Sequence, residues 1–261
     1  MLAIDIGNSR IKWAVFYEGE LSSYQAVEYS DDTLASVLEK EDLPISENSV
    51  MISNVAGERV KFVLMEFLIS KQCTDFMFAE TRSEQCQVIN SYETVSNMGV
   101  DRWLAMLAAY HSKTRKKNEA VCVIDCGTAI TIDVVSEKGV HLGGLIMPGY
   151  QLMVSALMGR TSEIRQGFGM GQDIDMNSLL GKSTSECVPL GCSHMVNSGI
   201  SGIVDNLIKS HQGELRCLVT GGDGESVMNK LNCKADYVSH LVLEGLRLVS
   251  CEASGPKNIN N

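Results

Sequence analysis

Apolar residues recur along this chain in two rhythms, one of strand length and one of helical spacing. Met1–Ile4 and Ile11–Val15 are short apolar runs that predict a hairpin over residues 1–6 and 11–17, with Leu21–Glu28 as a third strand. Asp31 or Asp32 is placed to cap a helix running to about Lys40, and Pro44 and Asn48 mark a loop. Val50-Met51-Ile52 predicts a strand within 49–54. Val60, Val63, Leu64, Phe67 and Leu68 fall on one helical stripe, and Phe76–Ala79 predicts another strand. A β-β-β-α-β-α-β order of this kind suits a mixed sheet with helices packed on it.

Residues 80–100 show little period of either kind. A loop of that length inside a compact domain is unusual and often functional. It leads into Asp101–Tyr110, which reads as a clear helix. The basic cluster Lys113, Arg115, Lys116 and Lys117 reads as a solvated helix end and linker. Beyond it the opening pattern returns: the apolar run Val121–Ile124, then Asp125-Cys126-Gly127-Thr128-Ala129, then the apolar run Ile130–Val135. Strand, Asp-x-Gly-(Asn/Thr)-(Ser/Ala), strand thus occurs twice, which predicts two similar subdomains over residues 1–115 and 116–254, with a frayed tail over 255–261. The glycines of Gly143–Gly149 permit close backbone approach, and a helix is expected from about Tyr150. Residues 159–183, with Gly167, Gly169 and Gly171 alternating, are expected to form a mobile loop. The order ends with a helix over Thr184–His211, a strand over Leu215–Thr220 and a helix over Leu241–Leu248.

The repeated turn carries the candidate chemistry. Asp5 can hold a hydrated divalent cation, and Gly7 lets the backbone approach a ligand. Asn8, Ser9 and backbone N–H groups can donate to phosphate oxygens, and Lys12 adds positive charge. Turn chemistry alone recruits the same residues, so one copy by itself is equally a plain hairpin turn. The second copy changes that balance. Asp101, at a helix start, is either a helix cap or a base or cation ligand aimed into a cleft. Arg102 sits at the end of the helix that basic groups avoid, which favours a ligand role. Gly221-Gly222-Asp223-Gly224 follows a strand and is either an adenosine contact or an ordinary turn.

Composition narrows the partners. The chain has 261 residues, 44% hydrophobic and 21% charged, with a net charge of −10. That balance describes a soluble globular protein and argues against nucleic acid or an anionic membrane as the main partner. Nine cysteines without a framework spacing read as reduced thiols of a cytoplasmic protein. Cys122 and Cys126 flank a strand and suit core packing. Neither they nor Cys187, Cys192 and His194 have zinc-ligand spacing. The five histidines are expected to be surface or structural. No apolar stretch is long enough to span a bilayer, and no basic segment precedes an apolar one at the N-terminus, so no leader is expected.

Taken in order, Asp5-x-Gly-Asn-Ser-x-x-Lys12, Gly99-x-Asp101-Arg102, Asp125-x-Gly-Thr-Ala129 and Gly143-Gly144-x-Ile146-x-Pro148-Gly149 resemble the type III pantothenate kinases over nearly the whole chain. These belong to the actin-like superfamily, in which paired hairpins grip ATP. The resemblance implies an α/β fold: two similar actin-like, ribonuclease H-like subdomains with mixed sheets flanked by helices and an ATP cleft between them. It implies that Asp5, Ile6, Gly7, Asn8, Ser9, Arg10, Ile11 and Lys12 bind the ATP phosphates together with Thr128. Tyr92, Gly99, Val100, Asp101 and Arg102 would line the pantothenate site, which Thr184 would also touch. Asp101 would be the base for the substrate hydroxyl, at an ordinary carboxylate pKa. Asp125 would coordinate a potassium or ammonium ion. Mg2+ would bridge the phosphates with few protein ligands, Asp5 among them. A homodimer would follow, its interface including the helix from Asp101 or the long helix after Thr184. The chain departs from the family pattern at Thr94 and Val95, where Asn-Pro is frequent, and at Ser9, where Thr is frequent. The rival readings are another small-molecule kinase or a phosphatase of the same fold, and a non-catalytic ATP-binding regulator. Retention of Asp5, Asp101 and Asp125 argues against the regulator.

Overall fold

The computed structural model describes residues 1–30, 32–41, 43–45, 49–160, 174–211 and 213–253. Expectations that fall on Asp31, Asn48, the Gly167–Gly169–Gly171 run and the tail from residue 254 lie outside the described residues. In chain order the strands are β1 Leu2–Ile6, β2 Arg10–Tyr17, β3 Glu20–Glu28, β4 Val50–Asn54, β5 Phe76–Phe78, β6 Glu84–Gln85, β7 Val88–Ile89, β8 Ala120–Cys126, β9 Ala129–Val135, β10 His141–Pro148, β11 Leu215–Thr220 and β12 Ala235–Tyr237. The helices are α1 Leu34–Lys40, α2 Glu58–Ser70, α3 Val100–Tyr110, α4 Tyr150–Arg160, α5 Thr184–Ser210, α6 Gly224–Met228 and α7 Leu241–Ala253.

By contacts the chain divides at several points rather than at one. The first unit comprises Met1–Val121, Asp133–Gly143 and the C-terminal segment from His240. The second comprises Cys122–Ile132 and Gly144–Ser239. The C-terminal segment belongs to the first unit because α7 packs on α3, β1 and β4.

The first sheet has the order β3-β2-β1-β4-β5. β1 is antiparallel to β2 and parallel to β4, which is parallel to β5. Alternation along β1 sends Leu2, Ile4 and Ile6 into a core with Leu34 and Leu38 of α1 and Leu64, Phe67 and Leu68 of α2. Ala3 and Asp5 therefore turn to the opposite face of the strand. The second sheet has the order β10-β9-β8-β11-β12, the same placement of first, second, third, fourth and fifth strands. The predicted repeat is thus a repeat of topology, not only of a turn motif.

Several expectations change. Asp32 does not cap α1: Thr33 occupies the N-cap position, and Asp32 pairs with Arg59 at 3.2 Å. The segment 80–100 is not structureless. It holds the β6–β7 hairpin, whose turn residues Cys86 and Gln87 have φ of 47° and 62°. That turn needs left-handed backbone, and without the usual Asn-Gly it leaves no signal in sequence. Gly143 to Pro148, for which the sequence indicated only close backbone approach, belong to strand β10. Finally, Arg102 through Ala109 of α3 are all buried within the single chain. Contacts with α7 and β4 cover the helix, and the Trp103 indole donates to Gln85 Oε1 at 3.1 Å. Its apolar circumference is thereby accounted for and gives no reason to place it in a subunit interface. Among the described residues no helix is long and apolar enough to cross a membrane, and all nine cysteines are free thiols, with Cys122 and Cys126 buried.

Candidate active site

The first hairpin turn is built by β1 and β2 in a register that pairs Asp5 with Lys12 and Ile6 with Ile11. Gly7 N–H donates to Arg10 O at 3.0 Å, and the Tyr29 hydroxyl donates to Gly7 O at 2.6 Å, so the turn is pinned from both sides. Asn8 and Ser9 are exposed. Ile6 and Ile11 are fully buried, which leaves only their backbone to a ligand. Arg10 points along the sheet to Glu28 at 2.6 Å.

Asp5 is the anomalous member. It is 4% exposed, and its Oδ1 is buried with no hydrogen-bond partner in the structure. Lys12 Nζ stands 3.9 Å from the other oxygen. Burial pushes the carboxyl up to about 6. Lys12 and the neighbouring Ser53 hydroxyl pull it down, and the charge of Asp101 adds to the rise. An orphaned acceptor in a dry setting is costly unless a donor or a cation arrives.

Asp101 comes from the start of α3. Gly99, not Asp101, holds the N-cap position, and Asp101 is the second helical residue. Its Oδ1 accepts the Arg102 N–H at 2.8 Å. A Cβ on Gly99 would come within 2.5 Å of that oxygen, so a side chain there would displace the carboxylate. The ordinary pKa expected for Asp101 is not what its surroundings produce. Burial raises it, the Arg102 N–H and charge oppose the rise, and the Asp133 charge adds to it.

Arg102 and Tyr92 meet. Arg102 Nη1 donates to the Tyr92 hydroxyl at 2.9 Å, and the guanidinium carbon lies 5.6 Å from the centre of the tyrosine ring. The partner that sequence reasoning missed is Asp133 of β9. Its two oxygens accept from Arg102 Nε at 2.9 Å and Nη2 at 2.6 Å. His141 of β10 lies 3.1 Å from Asp133 Oδ1 through Nε2, and 2.9 Å from the Ser91 hydroxyl through Nδ1. Asp133 lies in an apolar run of β9, and only its charge marked it out.

The second hairpin turn belongs to the other unit. Gly127 N–H donates to Ala129 O at 3.2 Å, and Gly149 N–H donates to Thr128 O at 3.0 Å. Gly221, at φ +90°, lies against Cys126 O, and a Cβ there would stand 2.6 Å from the Asp125 carboxylate. Asp223 N–H donates to Cys126 O at 3.2 Å. The turn after β11 therefore backs onto the turn after β8. Burial, followed by the charges of Asp125 and Asp223, pushes the Cys126 thiol up to about 12, so two acidic groups converge on this turn. Thr128 is exposed on it. Thr184 is exposed as the first residue of α5.

The sequence profile of the type III pantothenate kinases matches residues 1–206. A type III pantothenate kinase of Nitrosococcus oceani is 34% identical over 258 residues, 97% of this chain and 95% of that protein. A solved structure from Campylobacter jejuni, described as a conserved putative Baf family transcriptional activator, aligns with a TM-score of 0.59 and 22% identity over 97% of this chain and 99% of that one. The activator of 2-hydroxyisocaproyl-CoA dehydratase from Clostridium difficile, solved with bound ADPNP, aligns with a TM-score of 0.50 and 11% identity over 100% of this chain and 98% of that one. These two structures establish the likeness of fold.

The buried Asp5 makes a prediction about stability. Its raised pKa means the folded state holds a proton that the unfolded chain gives up between about pH 4 and pH 6. Its ionisation therefore costs stability in full above pH 6, and the cost vanishes as pH falls toward 4. Asp5→Asn removes the charge, so denaturant unfolding at pH 7.5 should show the variant more stable by about 1–3 kcal/mol. The gain should fade toward pH 4. A variant equal to or less stable than wild type at pH 7.5 would show that the carboxylate is better compensated than its surroundings indicate.

Proposed function

Since the chain belongs to the type III pantothenate kinase family, and is accordingly an ATP-dependent kinase with an alcohol acceptor that phosphorylates pantothenate in coenzyme A synthesis, we propose how its residues divide the work. The observation that carries the proposal is the Asp101–Arg102–Tyr92 constellation at the start of α3. A carboxylate beside a fixed cation and a phenol can orient a hydroxyl-bearing anionic substrate.

In this reading Asp101 accepts the proton of the pantothenate hydroxyl as its oxygen bonds to the γ-phosphorus, and the β–γ bridging oxygen leaves with ADP. The raised pKa of Asp101 brings the base nearer the working pH and strengthens it. Tyr92, Gly99, Val100 and Arg102 line the acceptor site, and Thr184 adds a contact. Asp5, Gly7, Asn8, Ser9, Arg10, Lys12 and the backbone of Ile6 and Ile11 hold the phosphates, with Thr128 contributing from the second hairpin. The repeat in the sequence divides the chain into residues 1–115 and 116–254, each carrying one Asp-x-Gly turn, although by contacts the segments exchange between the two units.

The residues present fit the cations the family uses. The unpartnered Oδ1 of Asp5 suits Mg2+ directly or through water. In this reading the ion would be bound chiefly by the phosphates. The charges of Asp125 and Asp223 around the second turn suit a potassium or ammonium ion there. Such ions would offset phosphate charge in a protein of net charge −10. The free thiols support a reducing compartment, the cytoplasm.

A homodimer is part of the proposal, with the interface on the second unit rather than on α3. Ile146 of β10, Leu179 and Leu180 before α5, and Met195 of α5 are 64%, 75%, 78% and 62% exposed, large apolar side chains that a subunit interface would cover. Sedimentation at micromolar concentration should show a dimer, and Leu180→Glu should shift it toward monomer. A wild-type monomer would remove this part.

ADP release that depends on pantothenate should rise sharply when potassium or ammonium replaces sodium. Equal rates in the two salts would remove the Asp125 assignment and leave the kinase standing.

Asp101→Asn tests the base. With Gly99 at the cap, the substitution does not remove the helix cap, and the turnover number should fall by roughly 10²–10⁴ with ATP affinity nearly unchanged. A folded variant of near-normal turnover would end the assignment.

A further inference from the structure

Arg102 is not simply a cation at the edge of the site. It is 7% exposed and Asp133 is 2% exposed, so both charges are out of water. A guanidinium has five N–H donors in a fixed plane. Asp133 takes two in a bidentate fork and Tyr92 takes a third. Only two remain for anything else, one on each terminal nitrogen.

Asp133 is itself held. Burial works against its charge, yet the bonds from His141 and Arg102 keep its carboxyl below the usual range. An ionised carboxylate only accepts, so His141 Nε2 carries the hydrogen that it shares with Asp133 Oδ1. The Ser91 hydroxyl at 2.9 Å fixes the other side of the ring. His141 is fully enclosed, and its ring lies 5.9 Å from that of Tyr92. Ser91 and Tyr92 are consecutive in the segment before α3. Two paths therefore run from Asp133 to Tyr92, one through Arg102 and one through His141 and Ser91.

We propose that Asp133, with His141 and Ser91 behind it, is a positioning residue for the acceptor substrate. It orients the Arg102 guanidinium so that its two remaining N–H groups face a substrate carboxylate, and it holds Tyr92 beside them. The inference rests on the kinase reading above and extends it to residues that do not touch substrate. Neutralising Arg102 from behind leaves it a directional hydrogen-bond donor rather than a diffuse charge. The site would then select an anion by geometry, which a lysine in place of Arg102 could not reproduce.

The test is steady-state kinetics of wild type and Asp133→Asn, with both substrates varied, alongside thermal unfolding. Asn keeps the size and one acceptor oxygen but loses the charge and the fork. The KM for pantothenate should rise by about 10- to 100-fold, the scale of a misplaced binding group. The KM for ATP should stay within about twofold and kcat should change far less than KM. A merely structural role would lower the active fraction, and with it kcat, leaving the pantothenate KM in place. His141→Gln, which retains a donor toward Asp133, should give a smaller rise than His141→Phe. If Asp133→Asn does not fold, Ser91→Ala carries the test from the far end of the chain of contacts, with a rise of about two- to fivefold expected. An unchanged pantothenate KM in the folded Asp133 variant, or in Ser91→Ala where it does not fold, overturns the proposal while leaving the kinase reading intact. Wild-type protein that makes no ADP in response to pantothenate overturns the kinase reading and this inference with it.

Discussion

A carboxylate wholly or partly taken out of water must find a donor, a cation or a proton, and three in the first unit, Asp133 and Asp5 buried and Asp101 partly so, answer this demand differently. Asp133 is fully answered, by a guanidinium fork and an imidazole. Asp101 is partly answered, by backbone N–H groups at the start of its helix. Asp5 keeps one oxygen with no partner and has its pKa pushed up to about 6. The gradient runs from the residue proposed to support the site to the residues proposed to work in it. On that reading the groups proposed to bind a cation or accept a proton are left under-satisfied, and their support is saturated.

The sheets supply the positions. The same strand order occurs twice, and in each sheet the hairpin between the first and second strands carries an Asp-x-Gly turn. In the first, alternation along β1 separates Asp5 from the core-facing Leu2, Ile4 and Ile6, so one strand serves core and site at once. In the second, the Asp125 turn is backed by the glycine turn that follows β11. A side chain at Gly221 would collide with the Cys126 carbonyl and the Asp125 carboxylate. Glycine at 221 is therefore a condition of the Asp125 turn's geometry.

Both hairpins, the mixed sheets, α2, α3 and the long α5 were legible from hydrophobic rhythm, because each buries one face or stripe of local sequence. Asp5, Asp101, Arg102 and Asp125 were legible as candidates because charged groups interrupt or open apolar runs. The motif order also carried the family. Other features depended on partners distant in sequence. The β6–β7 hairpin turns through left-handed Cys86 and Gln87, residues with no local preference for that backbone. The all-round apolar character of α3 suggested a second subunit, whereas α7, from the other end of the chain, covers it. Asp133 and His141 read as a strand residue and a structural histidine. Only the tertiary structure joins them to Arg102 across 31 positions and to Ser91 across 50. Sequence alone determined which stretches fold locally and which groups are chemically able to act. Tertiary structure decided which charges are buried together, because desolvation and pairing depend on distances in space that no local spacing encodes.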